Sequence, residues 1–512
     1  MLFNSPVFIF VFLPVVLVGY YSVAQWNTRF AAAWLAMASL VFYGWWNPRF
    51  LVLLGASITF NFCVSVGLRA FQNRSRLRNG LLALAITSNL LVLFYYKYLT
   101  FSLSLLAGFS VGLPSSFDIV LPLGLSFYTF TQIGYLVDCA QGAPHHRGFL
   151  EYVLFVTFFP HLIAGPILHH REIMPQFARP ETYRFGWEAL STGGTVFFLG
   201  LIKKVVLADS LIEPINQGFS HAPQLGIAGA WLTAIGFSLQ LYFDFSAYSD
   251  MAIGLACMFN IRFPLNFNSP YKSRSVIEFW QRWHITLTRY LMSYVYNPLA
   301  LYIARRRAAA AIGGSAPAPQ KKSASVFVYS VGVPTLVTML VAGIWHGAGL
   351  QFVVFGLLHA FYLIVNHAWR LYGPTRGRKV RSRIATSAIA FSAASLTYMA
   401  VVIADVFFRA SSLANAMAVV SGMAGFHGGL HELPWDERDL LGLLVCGVIA
   451  FGMPNIYQLM RDYPIVLGPV KAINGRRLIW QPSLAWAAAG GVIVAGAIAN
   501  LWNVSEFIYF QF

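Results

Sequence analysis

Two histidines stand among residues that could do chemistry. His346 lies in Ala342-Gly343-Ile344-Trp345-His346-Gly347-Ala348-Gly349, between two long apolar runs, and His284 ends Glu278-Phe279-Trp280-Gln281-Arg282-Trp283-His284. Imidazole has an unperturbed pKa near ~6.5, so it is the side chain best matched to moving protons at neutral pH. A lone histidine on an apolar face is more often a hydrogen-bonded core residue than a catalyst. Here the neighbourhood raises the stakes, because glycines on both sides of the Trp-His pair let backbone approach closely and let a helix break.

Residues 241–290 interleave aromatic and ionisable groups. They read Tyr242-Phe243-Asp244-Phe245-Ser246-Ala247-Tyr248-Ser249-Asp250, then Asn266-Phe267-Asn268-Ser269-Pro270-Tyr271, then the run ending in His284. Asp244 and Asp250 follow an apolar run that begins near Leu225, and an acid at membrane depth is costly enough to read as functional. The alternative is a headgroup-level belt of Tyr and Trp with the carboxylates in water, above all for Glu278. Other patterns carry less. Gly108-Phe109-Ser110-Val111-Gly112 fits G-x-S-x-G, but a nucleophile elbow needs a strand before it and this one ends an apolar helix run. His145-His146, His161 and His169-His170 have only Glu172 near enough to complete a metal site, so they read as loop residues and no metal is expected. His359 and His367, eight apart in an apolar run, read as polar contacts in helix packing.

The elements that must position these groups are membrane helices. Of 512 residues, 58% are hydrophobic and 10% charged, against roughly 25% charged in an average soluble domain. Of the apolar runs 6–23, 50–68, 81–99, 195–202, 326–344 and 484–501, several reach the ~20 residues needed to cross a bilayer. They lack the alternation of barrel strands, so the chain is expected to be all-α and polytopic, with roughly eleven to thirteen membrane-embedded helices. The first run has no charged segment before it and no small-residue cleavage site after it, so it reads as a retained helix rather than a signal peptide. Cys63, Cys139, Cys257 and Cys446 lie in or beside apolar runs without a CxxC pair and read as buried thiols.

The net charge of +17 sits in loops rather than on one arm or face, which excludes a nucleic-acid reading. The clusters are Arg69, Arg74, Arg76 and Arg78; Arg305, Arg306, Arg307, Lys321 and Lys322; Arg376, Arg378, Lys379, Arg381 and Arg383; and Lys471, Arg476 and Arg477. By the positive-inside rule all four face the cytoplasm. Two apolar runs separate the second cluster from the third, and two the third from the fourth, as same-side loops require. The acidic turn with Glu432, Asp436, Glu437 and Asp439 then lies on the far side, as do both termini. Residues 1–512 read as one membrane domain, with 308–324 a flexible cytoplasmic loop. Breaks such as Leu121-Pro122-Leu123-Gly124 and Phe159-Pro160-His161-Leu162-Ile163-Ala164-Gly165-Pro166 point to an internal chamber, because freed backbone groups in lipid must be buried or wet.

With these motifs the sequence resembles the membrane-bound O-acyltransferase family, and within it the branch of alginate and cellulose O-acetylation. The matching stretches are Phe3-Asn4-Ser5-Pro6, Phe42-Tyr43-Gly44-Trp45-Trp46, 121–128, 159–166, 242–251, 266–271, 280–287, 343–347 and 507–512, in one order from end to end. The resemblance implies helices around a tunnel, with His346 as the invariant histidine and His284 at its partner position. After His284 the chain departs from the branch, reading Asn297-Pro298-Leu299-Ala300-Leu301-Tyr302 where a Pro-Leu-Gly-Gly-Asn-Arg-like turn is usual.

The activity implied is transfer of an acetyl group from a cytoplasmic thioester, acetyl-CoA, to hydroxyls of an exported polysaccharide, directly or through a periplasmic acetyltransferase partner. The setting implied is a bacterial inner membrane, within a polysaccharide biosynthesis and export complex and with no bound cofactor. His346 would be general base, and His284 would bind the oxyanion or orient the acceptor. Trp280, Trp283 and Trp345 would shape the tunnel and exclude water, Tyr248, Asn268 and Arg282 would line it, and Asp244 or Asp250 could set a histidine tautomer. Three alternatives stand beside this: a D-alanyl transferase fed by a carrier protein, a transporter or flippase, and a scaffold without chemistry.

Overall fold

The structure, a computed structural model, describes residues 1–107, 119–142, 148–312, 323–373, 383–426, 435–468, 479–481, 483–501 and 505–508. The G-x-S-x-G stretch at Gly108, His145, His146, Lys321, Lys322, Arg376 to Arg381, Glu432, Lys471, Arg476, Arg477 and residues 509–512 lie outside the described residues.

The chain is helical, as its apolar runs require. Among the described residues one strand pairing occurs, Phe263–Pro264 parallel to Val466–Leu467. Among the described residues five helices are long and apolar enough to cross a membrane: Phe50–Ala70, Ser75–Ala107, Ala324–His346, Leu350–Tyr372 and Ile384–Arg409. Three more, Phe8–Ala24, Leu413–Met423 and Leu484–Ala499, are apolar but shorter. The remaining long helices, among them Thr28–Gly44, Leu125–Ala140, Trp187–Ile202 and Ile227–Met258, are shorter or carry polar groups. At 1.5 Å per residue Phe50–Ala70 rises about 32 Å, the thickness of the hydrocarbon layer. Val52, Phe361, Ile384 and Phe391 point outward from these spans, where lipid tails replace the water that would make such faces a liability. Ala324–His346 and Leu350–Tyr372 lie between the second and third basic clusters, giving the two crossings that charge demands. Of the loop expected at 308–324, residues 308–312 continue helix Asn297–Ile312 and Ala324 opens the next. Cys139, Cys257 and Cys446 are buried, but Cys63 faces outward from Phe50–Ala70, because an apolar run buries only the face turned to protein.

Contacts gather the chain into two compact units. Unit one comprises Met1–Val206, Phe243–Leu265 and Asn455–Phe512; unit two comprises Leu207–Tyr242 and Asn266–Pro454.

In unit one, helices Phe50–Ala70 and Ser75–Leu93 are tied by a reciprocal amide pair. Asn61 Nδ2 donates to Asn89 Oδ1 at 3.1 Å and Asn89 Nδ2 to Asn61 Oδ1 at 2.7 Å. Tyr152 donates to Gln132, which donates to Ser57, so polar side chains join helices where apolar contact alone gives little preference over lipid. A buried aromatic cluster of Phe3, Phe8, Phe42 and Phe159 surrounds the break at 159–165. His161 and His170 are buried there, a correction to their reading as loop residues: His161 lies edge-on to Phe263, and His170 Nδ1 stands 3.5 Å from Asp138 Oδ2. The turn at 163–169 folds back into the unit, so histidines that look like loop residues in sequence are enclosed.

Unit two is organised by the hairpin of Ala324–His346 and Leu350–Tyr372. A Cβ on Gly343 would meet the Phe352 carbonyl oxygen at 2.4 Å, so only glycine lets these helices approach as they do. Ile384–Arg409 packs beside Leu350–Tyr372. Residues 227–242 of the long helix Ile227–Met258 complete the scaffold around the loop that bears His284.

Candidate active site

The His284 loop is built by backbone pairing and one cap. Asn268 N–H donates to the Arg282 carbonyl and Ile285 N–H to the Asn266 carbonyl, each at 2.9 Å, so 266–268 runs beside 282–285. Ser275 caps helix Val276–Trp280 by accepting from Glu278 N–H. Arg282 reaches Glu278 at 2.7 Å and the Asn268 carbonyl at 3.3 Å. Arg282 and Asn268, expected to line a passage, therefore brace this loop, and Glu278 sits partly exposed in its ion pair, as the belt reading held.

This bracing holds His284 at φ 40° and ψ 53°, a left-handed conformation that costs a residue with a side chain about 1–3 kcal/mol. The ring is fully buried. Its Nδ1 stands 3.1 Å from Asn266 Oδ1, which also takes the Thr286 hydroxyl at 2.8 Å and the Thr286 N–H at 3.3 Å. An atom bound by an amide N–H is an acceptor, so His284 Nδ1 must be the donor. Burial pushes the His284 pKa down to about 3, so the ring is neutral with its proton on Nδ1. Its Nε2 then presents a lone pair. A lone pair there can accept from a hydroxyl, whereas binding an oxyanion takes an N–H.

His346 is the last residue of its span and is buried among aromatic rings. Trp345, Phe408 and Phe355 stand with ring centroids 4.9, 5.0 and 5.6 Å from its own. Trp345 is also 6.2 Å from the His284 ring, so one indole separates the two imidazoles. Trp283 stacks on Phe279 and Tyr271 and meets Phe267 edge-on. Trp280 donates from Nε1 to His359 Nδ1 at 3.3 Å, the packing contact expected of His359. Unit two thus gathers both histidines and all three tryptophans of the sequence-based site.

Asp244, Asp250 and Tyr248 belong to unit one. Neither carboxylate is in water: Asp244 and Asp250 are buried. Asp244 Oδ1 takes Lys204 Nζ at 2.7 Å and its Oδ2 accepts the Ile508 N–H, while Lys204 also donates to the Glu506 carbonyl. Asp250 takes Lys203 at 2.6 Å and the Tyr457 hydroxyl at 2.7 Å. Tyr248 lies between Phe3 and Phe507. These acids anchor the C-terminal segment, and the tautomer of His284 is set by Asn266 instead. Lys203 and Lys204 are adjacent, open a π-helical turn, Lys203–Ala208, and both reach acids. Sequence reading missed both lysines, although two cations between apolar runs signal buried acids. It also missed Asn266 as a partner and Asp405, a lone acid in helix Ile384–Arg409.

A model of the membrane-bound O-acyltransferase family matches residues 138–312. The chain is 37% identical to a peptidoglycan O-acetyltransferase of Helicobacter pylori, over 100% of this chain and 98% of that one. It is 33% identical to a probable alginate O-acetylase of Pseudomonas putida over 100% of both chains. A teichoic acid D-alanyltransferase of Streptococcus thermophilus is 26% identical over 48% of this chain and 57% of its own.

Proposed function

The chain belongs to the membrane-bound O-acyltransferase family, and we propose that it moves acetyl from cytoplasmic acetyl-CoA to hydroxyls of a glycan beyond a bacterial inner membrane. Membership makes it a multi-pass O-acyltransferase, so the transporter and scaffold alternatives fall. Two full-length relatives are named for acetyl esters on glycans, which supports acetyl as the group and a glycan as the acceptor.

The observation that carries the mechanism is the neutral His284, its Nδ1 proton held by Asn266, one indole away from His346. The acceptor hydroxyl oxygen attacks the thioester carbonyl carbon, and its proton passes to His346. The C–S bond breaks, and the leaving thiolate takes that proton back, so none is gained or lost. General-base help of this kind contributes about 10²–10⁴ in rate. His284 Nε2 accepts from a hydroxyl of the acceptor and orients it. Trp280, Trp283 and Trp345 keep water from the thioester, which would otherwise be hydrolysed. The cytoplasmic arginines favour the phosphates of the donor on that side, though orientation alone explains their place. The acetyl reaches the glycan directly or through a periplasmic acetyltransferase partner within a polysaccharide export complex.

The test is the acetyl content of the exported glycan in a His346→Ala strain with a normal protein level. Acetylation should be lost; unchanged acetylation removes His346 from the mechanism. The match to a D-alanyltransferase favours a second reading, in which a carrier protein delivers D-alanine. Hydrolysis of acetyl-CoA by the purified chain decides for acetyl.

A further inference from the structure

Span Leu350–Tyr372 carries a histidine, His359, that is 1% exposed. Its ring is walled by aromatic side chains. Phe355, one turn earlier on the same helix, meets it edge-on at 4.6 Å, Trp280 meets it edge-on at 5.1 Å, and Phe279 lies parallel to it at 6.4 Å. Two of these neighbours lead to the site. Phe355 stands 5.6 Å from the His346 ring, and Phe279 stacks at 5.6 Å on Trp283, the residue before His284.

A phenylalanine would fill such a place at no polar cost, whereas an imidazole in a membrane helix is expensive unless a partner satisfies it. The partner is Trp280. Its indole is buried, its Nε1 can only donate, and it donates to His359 Nδ1 at 3.3 Å. His359 Nδ1 is therefore an acceptor, and a neutral ring then carries its proton on Nε2, the reverse of His284. Among the described residues this is the one acceptor of Trp280 Nε1.

The bond fixes more than one side chain. Trp280 ends the short helix Val276–Trp280, and its carbonyl accepts the Thr288 hydroxyl at 3.1 Å, from the helix that follows His284. Asn366, two turns beyond His359 on the same face, accepts the Ile277 N–H at 3.4 Å. The short helix is thus docked on the span at two points, His359 and Asn366, and of these His359 grips the aromatic side chain.

We propose that His359 is a positioning residue for acyl transfer: it holds the Trp280 indole in an aromatic wall with Phe279 and Phe355, and that wall keeps water from His346 and the thioester. The inference rests on the acyl transfer proposed above. Without the acceptor, the buried Nε1–H of Trp280 is left unsatisfied, and the indole turns toward another acceptor or toward water. Water that reaches the thioester consumes it. Its oxygen attacks the carbonyl carbon, the C–S bond breaks, one of its protons passes to the thiolate, and acetic acid and the free thiol leave.

The experiment uses the full chain in lipid nanodiscs, with acetyl-CoA alone as the probe. Three variants separate the ring from its acceptor. His359→Phe keeps a ring and loses Nδ1, His359→Asn loses the ring and keeps an acceptor oxygen near the place of Nδ1, and Trp280→Phe removes the donor. His359→Phe and Trp280→Phe are each expected to raise acetyl-CoA hydrolysis about 2- to 10-fold, the worth of a neutral hydrogen bond, with the KM for acetyl-CoA unchanged. His359→Asn should bring hydrolysis back toward wild type, and the two Phe changes together should do no more than either alone, because both remove the same bond. A packing role alone predicts the opposite order, with Asn, which leaves a cavity, the leakier of the two. Wild-type hydrolysis by His359→Phe, an Asn variant at least as leaky as Phe, or multiplied effects in the pair would overturn the proposal. Exchange of the His346 C2–H in deuterated water, read by mass spectrometry without substrate, keeps the two readings apart. Should neither the wild type nor any variant hydrolyse acetyl-CoA, the functional reading fails and the exchange decides for His359. Exchange that is faster in His359→Phe and slower again in His359→Asn supports the wall; equal rates in all three proteins overturn it.

Discussion

Replacing Asn266 by alanine removes the acceptor of three donors: His284 Nδ1–H, the Thr286 hydroxyl and the Thr286 N–H. Each donor left buried without a partner costs about 1–3 kcal/mol, and Thr286 can turn its hydroxyl to another oxygen, so the stability loss should be about 2–5 kcal/mol. The catalytic effect follows from the tautomer. Without Asn266 the bond that holds the proton on Nδ1 is gone, and a bond between neutral groups, worth about 0.5–1.5 kcal/mol, corresponds to a shift of about 2- to 10-fold in the ratio of the two tautomers, away from rings with a lone pair on Nε2. Acetyl transfer by folded Asn266→Ala protein should fall by up to that factor. Asn266→Asp keeps an oxygen acceptor and should restore much of the rate near neutral pH. A carboxylate stabilises the imidazolium, so it raises the His284 pKa from about 3. The ring then protonates as pH falls through the raised value, and the Asp variant should lose activity on the acid side where the wild type keeps it. Rate against pH for both variants, with melting temperature as control, checks this. Equal losses for Ala and Asp, or a fully active Ala variant, would refute the assignment of the tautomer.

Two further outcomes are expected. Lys204→Met should destabilise unit one by about 3–5 kcal/mol, because it leaves the fully buried Asp244 carboxylate without its cation, whereas Lys204→Met with Asp244→Leu should return close to wild type; thermal unfolding in detergent measures both. Stability should also rise with pH between about 3 and 6.5. Burial holds His284 and His161 down to about 3, so in this window the unfolded chain binds more protons, and acid favours unfolding. Each ring contributes about 2 kcal/mol of loss between neutral pH and pH 5. A melting temperature that does not fall from pH 7 to pH 5 in the wild type would show that these rings are not held neutral.

The membrane fold was legible because its signal is local. A run such as Phe50–Ala70 declares a span by length and composition, and basic loops declare the side. The helical hairpin at Gly343 was legible for the same reason, since glycines beside a histidine between two spans mark a turn with close backbone approach. Legibility failed where burial depends on how a turn folds back. His161 and His170 sit in a segment whose Gly and Pro suggest a loop, yet that segment is enclosed by aromatic residues from distant parts of unit one. Cys63 fails in the opposite sense: a membrane helix shows one face to lipid, and composition does not say which.

The acids show most clearly what local sequence contains. Asp244 and Asp250 announce a cost, a charge among apolar neighbours, which reads in sequence as a sign of function and which a cationic partner meets in the structure. The partner is not announced, because Lys203 and Lys204 lie forty or more residues away in sequence. Assigning those acids to the histidines joined two real needs that are met separately: the lysines neutralise the acids, and His284 has Asn266, an uncharged acceptor eighteen residues before it. An amide suits this task better than a carboxylate. It fixes the proton on Nδ1 without stabilising imidazolium, and so leaves a neutral Nε2 lone pair for a hydroxyl.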